Sequence, residues 1–155
     1  CIKPLILPVL ILVGEKGDTF ENLFKMIHEF ELDNDVILSG FVEDISGIVS
    51  IADFGIHSSV SESQPNSIIE FMCYSKAVIA SDIIAHRDVL GEDYPFFFPV
   101  KDHKKLAEMV VQVSELKDLR TSIEKANVKR FEQNLAVDKM VLSYQLLIRN
   151  CLNER

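Results

Sequence analysis

The sequence contains no apolar stretch long enough to cross a bilayer, no glycine-rich dinucleotide fingerprint, few cysteines and a shortage of positive charge. The apolar run near its start, residues 5–13, is nine residues long and interrupted by Pro8. A spanning helix needs about 20 residues, and no small-residue cleavage pattern of the signal-peptide kind accompanies the run. The three cysteines, Cys1, Cys73 and Cys151, fall in no metal or redox spacing. An odd, unpaired set fits a reducing cytosol, and Cys73 is read as a small buried hydrophobe on a helix. Lysine and arginine number 16 against 24 acidic residues, for a net charge of −8. Nucleic-acid binding is excluded on that ground, since phosphate neutralisation needs a concentrated basic face. The imbalance is uneven: residues 1–100 hold 5 basic and 16 acidic side chains, residues 101–155 hold 11 and 8. A mildly basic last third reads as solvated helix faces ahead of a membrane or domain contact.

What the chain does have is a hydrophobic content of 48% over 155 residues. A chain of that length is expected to form one domain, 1–155, burying roughly 68–70% of its unfolded surface. Strand and helix patterns alternate along it. Residues 9–13 read as a fully buried strand ending at Gly14. Asp18 and Glu21 suggest a capping box for a helix whose inward face is Phe20, Leu23, Phe24, Ile27 and Phe30. Strands follow at 36–38 and, after a short helix around Ile48 and Val49, at 54–57. A helix from Pro65 to about Tyr74 leads to a buried strand at 77–80, and 96–98 is a short last strand. The remainder is helical: 102–113, 119–128, and an amphipathic helix from Val137 with Met140, Val141, Tyr144, Leu147 and Ile148 inward. Strands apolar on both faces and separated by helices mean an α/β fold, a Rossmann-like three-layer parallel sheet with helices on both faces. Ligands of such sheets sit outside the carboxyl ends of the strands, which selects 14–18, 39–43, 57–66 and 81–87.

The segment from Ser58 to Met72 carries the most chemistry. It opens with small and hydroxyl residues, places Glu62 in a loop, starts a helix at Pro65, and puts Glu70 in that helix's second turn. Proline suits a first helical position because its missing N–H has no partner there anyway. The amides of Asn66, Ser67 and Ile68 then form an anion site backed by the helix dipole. Two carboxylates beside an anion site suit a ligand that is anionic at one end and rich in hydroxyls at the other. A nucleotide-sugar is such a ligand.

The order of motifs is recognisable. Val13-Gly14, Gly40-Phe41-Val42, Ala52-Asp53, the run Glu62-Ser63-Gln64-Pro65-Asn66, then Glu70-Phe71-Met72, Val78-Ile79-Ala80-Ser81-Asp82 and Ala85-His86-Arg87-Asp88-Val89-Leu90-Gly91 stand in sequence. Together they resemble the C-terminal, donor-binding half of GT-B fold retaining glycosyltransferases of family four (group 1), the type that builds bacterial capsules and other polysaccharides. The segment 131–144 is similar to that family's closing helix, which crosses back toward the other domain. The resemblance implies that Glu70 accepts hydrogen bonds from ribose hydroxyls, a carboxylate matching a vicinal diol. It places Glu62 in the catalytic site, holding hydroxyls of the transferred sugar, and names no base. Backbone amides around Ser63, Gln64, Pro65, Asn66 and Ser67 would bind sugar and diphosphate. Gly40, Phe41 and Val42 would read the base, and Gly14 and Lys16 would lie beside the diphosphate, where glycine permits close approach. No metal and no cofactor is implied, since helix N–H groups and basic side chains meet the leaving-group charge. The acceptor would be a saccharide or a lipid-linked saccharide, bound through an N-terminal domain, with a cytoplasmic location and peripheral contact at the inner membrane face left open.

The sequence departs from that pattern in places. Ser63 and Ser75 stand where glycine is common, and Ser75 would pay roughly 1 kcal/mol for a left-handed conformation. Ile84-Ala85 replaces a common Gly-Gly. No basic strand-loop-helix precedes residue 9, so the chain is expected to be a fragment, inactive by itself. His57 either bonds sugar or is a satisfied edge histidine, and Lys16 either meets phosphate or faces solvent. His86 and Arg87 read as a surface helix start ahead of a phosphate contact, and Asp82 as a residue that satisfies loop N–H groups. Two other classes remain: a nucleotide-sugar epimerase-type domain, and a non-catalytic nucleotide-binding module. A receiver domain needs acidic strand ends, whereas these strands end at Gly14, Gly40 and Ser58.

Overall fold

The computed structural model describes residues 8–153, so Cys1 and the first part of the apolar run, residues 5–7, lie outside the described residues. The chain divides into two compact units, Cys1–Ile45 and Ser46–Arg155. In the first, β1 (Leu10–Val13) pairs in parallel with β2 (Val36–Gly40), and α1 (Phe20–Glu29) connects them. The second unit runs α2 (Ser46–Ile51), β3 (Gly55–His57), α3 (Asn66–Cys73), β4 (Val78–Ser81), α4 (Ile84–Leu90), β5 (Phe97–Phe98), α5 (His103–Glu115) and α6 (Lys117–Arg130). A π-helical turn, Phe131–Leu135, then leads into α7 (Val137–Asn153). Its sheet is parallel throughout, in the order β3-β4-β5. The α/β reading of parallel strands flanked by helices is therefore the architecture observed.

The core of the second unit forms around β4, whose four residues are all buried. Ile68 and Met72, one helical turn apart on α3, cover it together with Val113 of α5, and Phe96 and Phe98 complete the cluster. Gly55 is required here: a Cβ on it would stand 2.6 Å from the Phe71 ring, so β3 and α3 approach as closely as they do only because that atom is missing. β5 does not extend along the whole of β4. At Val78 its place is taken by Tyr94, whose hydroxyl accepts from the Val78 N–H and donates to the Val78 carbonyl, each at 2.9 Å. Burial pushes the Tyr94 phenol up to about 12. It acts as a neutral plug for two backbone groups that burial would otherwise leave unpaired.

Several local expectations are corrected. Pro65 is the residue before α3, with φ −82° and ψ 77°, and Asn66 is the first helical residue. Asp18 does not cap α1; Thr19 precedes that helix and no side chain bonds its amides. Cys73 is exposed, because Ile68 and Met72 define the inward stripe and Cys73 lies about 100° further round. Leu10 and Val13 of β1 are 40% and 42% exposed, and Phe24 and Phe30 more so. A two-stranded sheet is too narrow to bury both of its faces and a ten-residue helix. The whole of α7 up to Leu152 is exposed, including Met140, Val141, Tyr144, Leu147 and Ile148. Helical periodicity identifies which face wants cover, not what supplies it.

Ser75 does take the left-handed conformation expected of it, with φ 60°. The Lys76 N–H reaches the Phe71 carbonyl at 2.9 Å and the Ser75 N–H the Met72 carbonyl at 3.1 Å, the hydrogen-bond pair that closes a helix over a left-handed residue. Ser75→Gly is expected to stabilise the protein by about 1 kcal/mol, read as a rise of about 2–4 °C in the thermal midpoint by circular dichroism. Tyr94→Phe should act in the opposite sense, costing about 1–3 kcal/mol in urea unfolding by stranding the Val78 backbone groups.

Candidate functional site

Parallel pairing aligns Gly55 with Val78 and His57 with Ala80, so β3 and β4 end at one edge and their following loops emerge together. The first loop, residues 58–65, is mostly exposed, with Pro65 buried at its end. The second passes through Asp82 and Ile83 into α4. Ser81, fully buried at the end of β4, ties them: its Oγ donates to the Ser59 carbonyl at 2.5 Å.

On this frame Glu62 is held in place. Ser59 Oγ donates to Glu62 Oε1 at 2.7 Å, and His57 Nε2 lies 3.9 Å from the same oxygen. The His57 ring meets the edge of the His86 ring at 4.9 Å between centroids. His86 is completely buried, which corrects its reading as a surface helix start. Its Nδ1 is 2.7 Å from the Ser81 carbonyl, and a carbonyl only accepts, so that nitrogen carries the proton. His86 Nε2 and His57 Nδ1 have no hydrogen-bond partner among the described residues. His57 is held below its usual 6.5, first by burial and then by the neighbouring His86, with Glu62 acting in the opposite direction.

Beside Glu62 opens a concavity of about 550 Å³ lined by Val60, Glu62, Asp82, Ile84 and Arg87 among others. Asp82 does not serve loop amides as expected. Its carboxylate takes two bonds from Arg87, at 2.5 and 2.7 Å, which hold it below the usual carboxylate range. Glu92 engages the same guanidinium at 2.9 Å. Arg87 is thus committed inside the chain.

The helix entry is less open than the sequence implies. The Asn66 N–H bonds the Gln64 carbonyl at 3.0 Å and the Ile68 N–H bonds the Pro65 carbonyl at 3.0 Å. Of the three amides expected to be free, Ser67 alone has no backbone acceptor among the described residues, and the amides of Ser63 and Gln64 have none either. Glu70 sits in the second turn of α3, exposed and with no side-chain partner among the described residues. It does not line the concavity beside Glu62.

The other expected residues belong to the first unit. The Gly14 N–H donates to the Gly40 carbonyl at 3.0 Å, bringing the two strand ends together. Gly40 has φ 71°, a left-handed turn that turns the chain into an exposed Phe41. Lys16 lies over the Phe20 ring, 4.7 Å from its centroid. Sequence reasoning passed over Ser59 and Ser81, whose roles depend on a contact between two loops. The five-residue spacing of Arg87 from both Asp82 and Glu92 was the one available sign of the ion-pair cluster.

Comparison with known proteins adds a family and a set of folds. The family model described as glycosyl transferases group 1 matches residues 7–130. A glycosyltransferase from Rickettsia africae superimposes with a TM-score of 0.86 at 22% identity, over 96% of this chain and 41% of that one. Sucrose-phosphate synthase from Thermosynechococcus elongatus gives 0.84 at 20% identity, over 94% and 39%. Anabaena Alr3699/HepE, solved with UDP and glucose, gives 0.81 at 22% identity, over 95% and 41%. The chain therefore spans about two fifths of the length of the solved proteins it is similar to, and shares the fold of their GT-B halves. No curated protein sequence matches it.

The histidine pair supplies a direct test of the geometry. In a ring-proton NMR titration His57 is expected to titrate with a midpoint below 6.5. Glu62→Gln should move the midpoint further down, since it removes the one neighbour that favours the charged ring. The unfolded chain takes up the proton first, so His57 contributes stability above pH 6.5 that is lost as the pH falls through its folded value.

Proposed function

The chain belongs to the group 1 glycosyl transferases, and on that premise we propose that it is a donor-binding domain, 1–155, which holds a nucleoside-diphosphate sugar. Glu70 takes the ribose hydroxyls, and Glu62 takes hydroxyls of the transferred glycosyl group. The amides of Ser63, Gln64 and Ser67 take diphosphate and sugar oxygens. The family resemblance assigns Gly40, Phe41 and Val42 to the base, and Gly14 and Lys16 to the diphosphate.

The observation that carries this reading is the contrast between the two carboxylates on one strand-loop-helix. Glu62 is oriented by Ser59 at the edge of a concavity, and Glu70 is exposed with no side-chain partner among the described residues. An exposed carboxylate on the helix that follows loop amides without backbone acceptors suits a ligand that brings both hydroxyls and anionic oxygens. The UDP and glucose held by the Anabaena protein of like fold support the same ligand class. The epimerase-type and non-catalytic nucleotide-binding readings are not favoured by the family match.

The chemistry we assign is retaining, metal-independent hexosyl transfer to a saccharide or lipid-linked acceptor in polysaccharide synthesis of the capsule type. It takes place in the cytoplasm, with peripheral contact at the inner membrane face. No helix among the described residues is long and apolar enough to cross a membrane. Charge on the departing diphosphate would be met by loop amides, an electrostatic contribution that needs no movement at the moment of reaction.

Calorimetry with UDP tests the reading. Glu70→Ala should weaken binding by about 1.5–3 kcal/mol, the range for a charged hydrogen-bond acceptor, and added Mg²⁺ should leave the wild-type affinity unchanged. An unaltered affinity in Glu70→Ala removes the ribose assignment, and a large metal enhancement removes the metal-independent one.

A further inference from the structure

We propose that the concavity beside Glu62 selects an uncharged glycosyl group and rejects one bearing a carboxylate or phosphate. The inference rests on the donor-binding reading above and specifies its sugar.

A cleft in a phosphate-handling domain that contains an arginine would ordinarily be read as an anion site. Here the arginine is spent. Nε and Nη2 of Arg87 both donate to Asp82, Nη1 donates to Glu92, and the guanidinium lies 5.3 Å from the centre of the Phe97 ring. Every nitrogen of the group is therefore directed at an acceptor on the same chain, and two carboxylates answer its single charge.

Among the described residues the opposite wall, Val60, Ser61 and Glu62, holds no cation to offset this. Glu62 is bonded by a neutral hydroxyl, and its other neighbour, His57, is a ring whose burial disfavours the protonated form. Counting the lining residues Glu62 and Asp82 against Arg87, the rim carries one net negative charge, and Glu92, just outside it, holds the guanidinium from behind. Between the charged walls stand Ile84 and Ala85, which offer apolar contact and no side-chain donor.

A sugar hydroxyl can donate to Glu62 and loses nothing by meeting an acidic rim. A sugar carboxylate has no proton to donate at neutral pH, finds no unengaged cation among the described residues that line the concavity, and is repelled. Discrimination comes from this repulsion as much as from the hydroxyl contact, as specific sites commonly arrange it.

The test is calorimetry of the full chain with UDP, UDP-glucose and UDP-glucuronate at low and physiological salt. The wild type should bind UDP-glucuronate about tenfold or more weaker than UDP-glucose, with the gap narrowing as salt rises. The double variant Asp82→Asn/Glu92→Gln releases Arg87 and should shrink that ratio to about threefold or less by tightening UDP-glucuronate. A gain in binding cannot come from misfolding, and thermal melts of each variant accompany the titrations. Equal or tighter binding of UDP-glucuronate by the wild type overturns the inference, as does an unchanged ratio in the double variant. If UDP itself does not bind, the donor-binding reading fails and this one with it. If UDP binds and the two sugars are treated alike, only the present inference fails.

Discussion

The last residue of β4 is a serine with no access to solvent, and a buried hydroxyl needs a partner. Ser81 finds it in the Ser59 carbonyl, two residues past the end of β3. That single bond sets the separation of the two loops that leave the sheet at this edge. It also fixes where Ser59 stands, and Ser59 in turn orients Glu62. On the other side, the Ser81 carbonyl accepts from His86, which fixes the imidazole against His57. The positions of Ser59, Glu62 and His86 are thus traceable to one strand being too deeply buried for its terminal side chain to be left alone.

Charge in this region is arranged by subtraction. An arginine, three carboxylates and two histidines stand close together, yet the arginine is neutralised locally and His57 is disfavoured as a cation by its burial. What remains directed outward is acceptor capacity: Glu62 beside the concavity and Glu70 on the neighbouring helix. Unused donor capacity stands in the main-chain amides of Ser63, Gln64 and Ser67, which have no backbone acceptor among the described residues and carry no net charge. A site built in this way is polar and directional while leaving the rim acidic.

Two apolar surfaces contrast with the tightly packed β4 cluster. The first unit exposes Phe24, Phe30 and Phe41, and α7 exposes Tyr144, Leu147 and Ile148. The solved proteins of like fold are more than twice as long as this chain.

Much of this was legible in the chain before any coordinates. Alternating apolar strands and amphipathic helices required a parallel sheet, because strands apolar on both faces need cover on both sides. Ser75 stood where a helix closes through a left-handed residue, and its φ of 60° follows from that local rule. The loop-helix segment from Ser58 to Met72 was identifiable because its two glutamates, a weak signal alone, stand within a series of motifs whose order resembles the family's. Only the folded chain decided which amides stay free, which glutamate meets a concavity, and that Arg87 is consumed by Asp82 and Glu92. It also decided that His86 is interior and Cys73 exposed. The division has one physical cause. Periodicity and turn chemistry act over a few neighbouring residues, whereas burial, ion pairing and hydrogen-bond partners are set by segments that meet only once the sheet has formed.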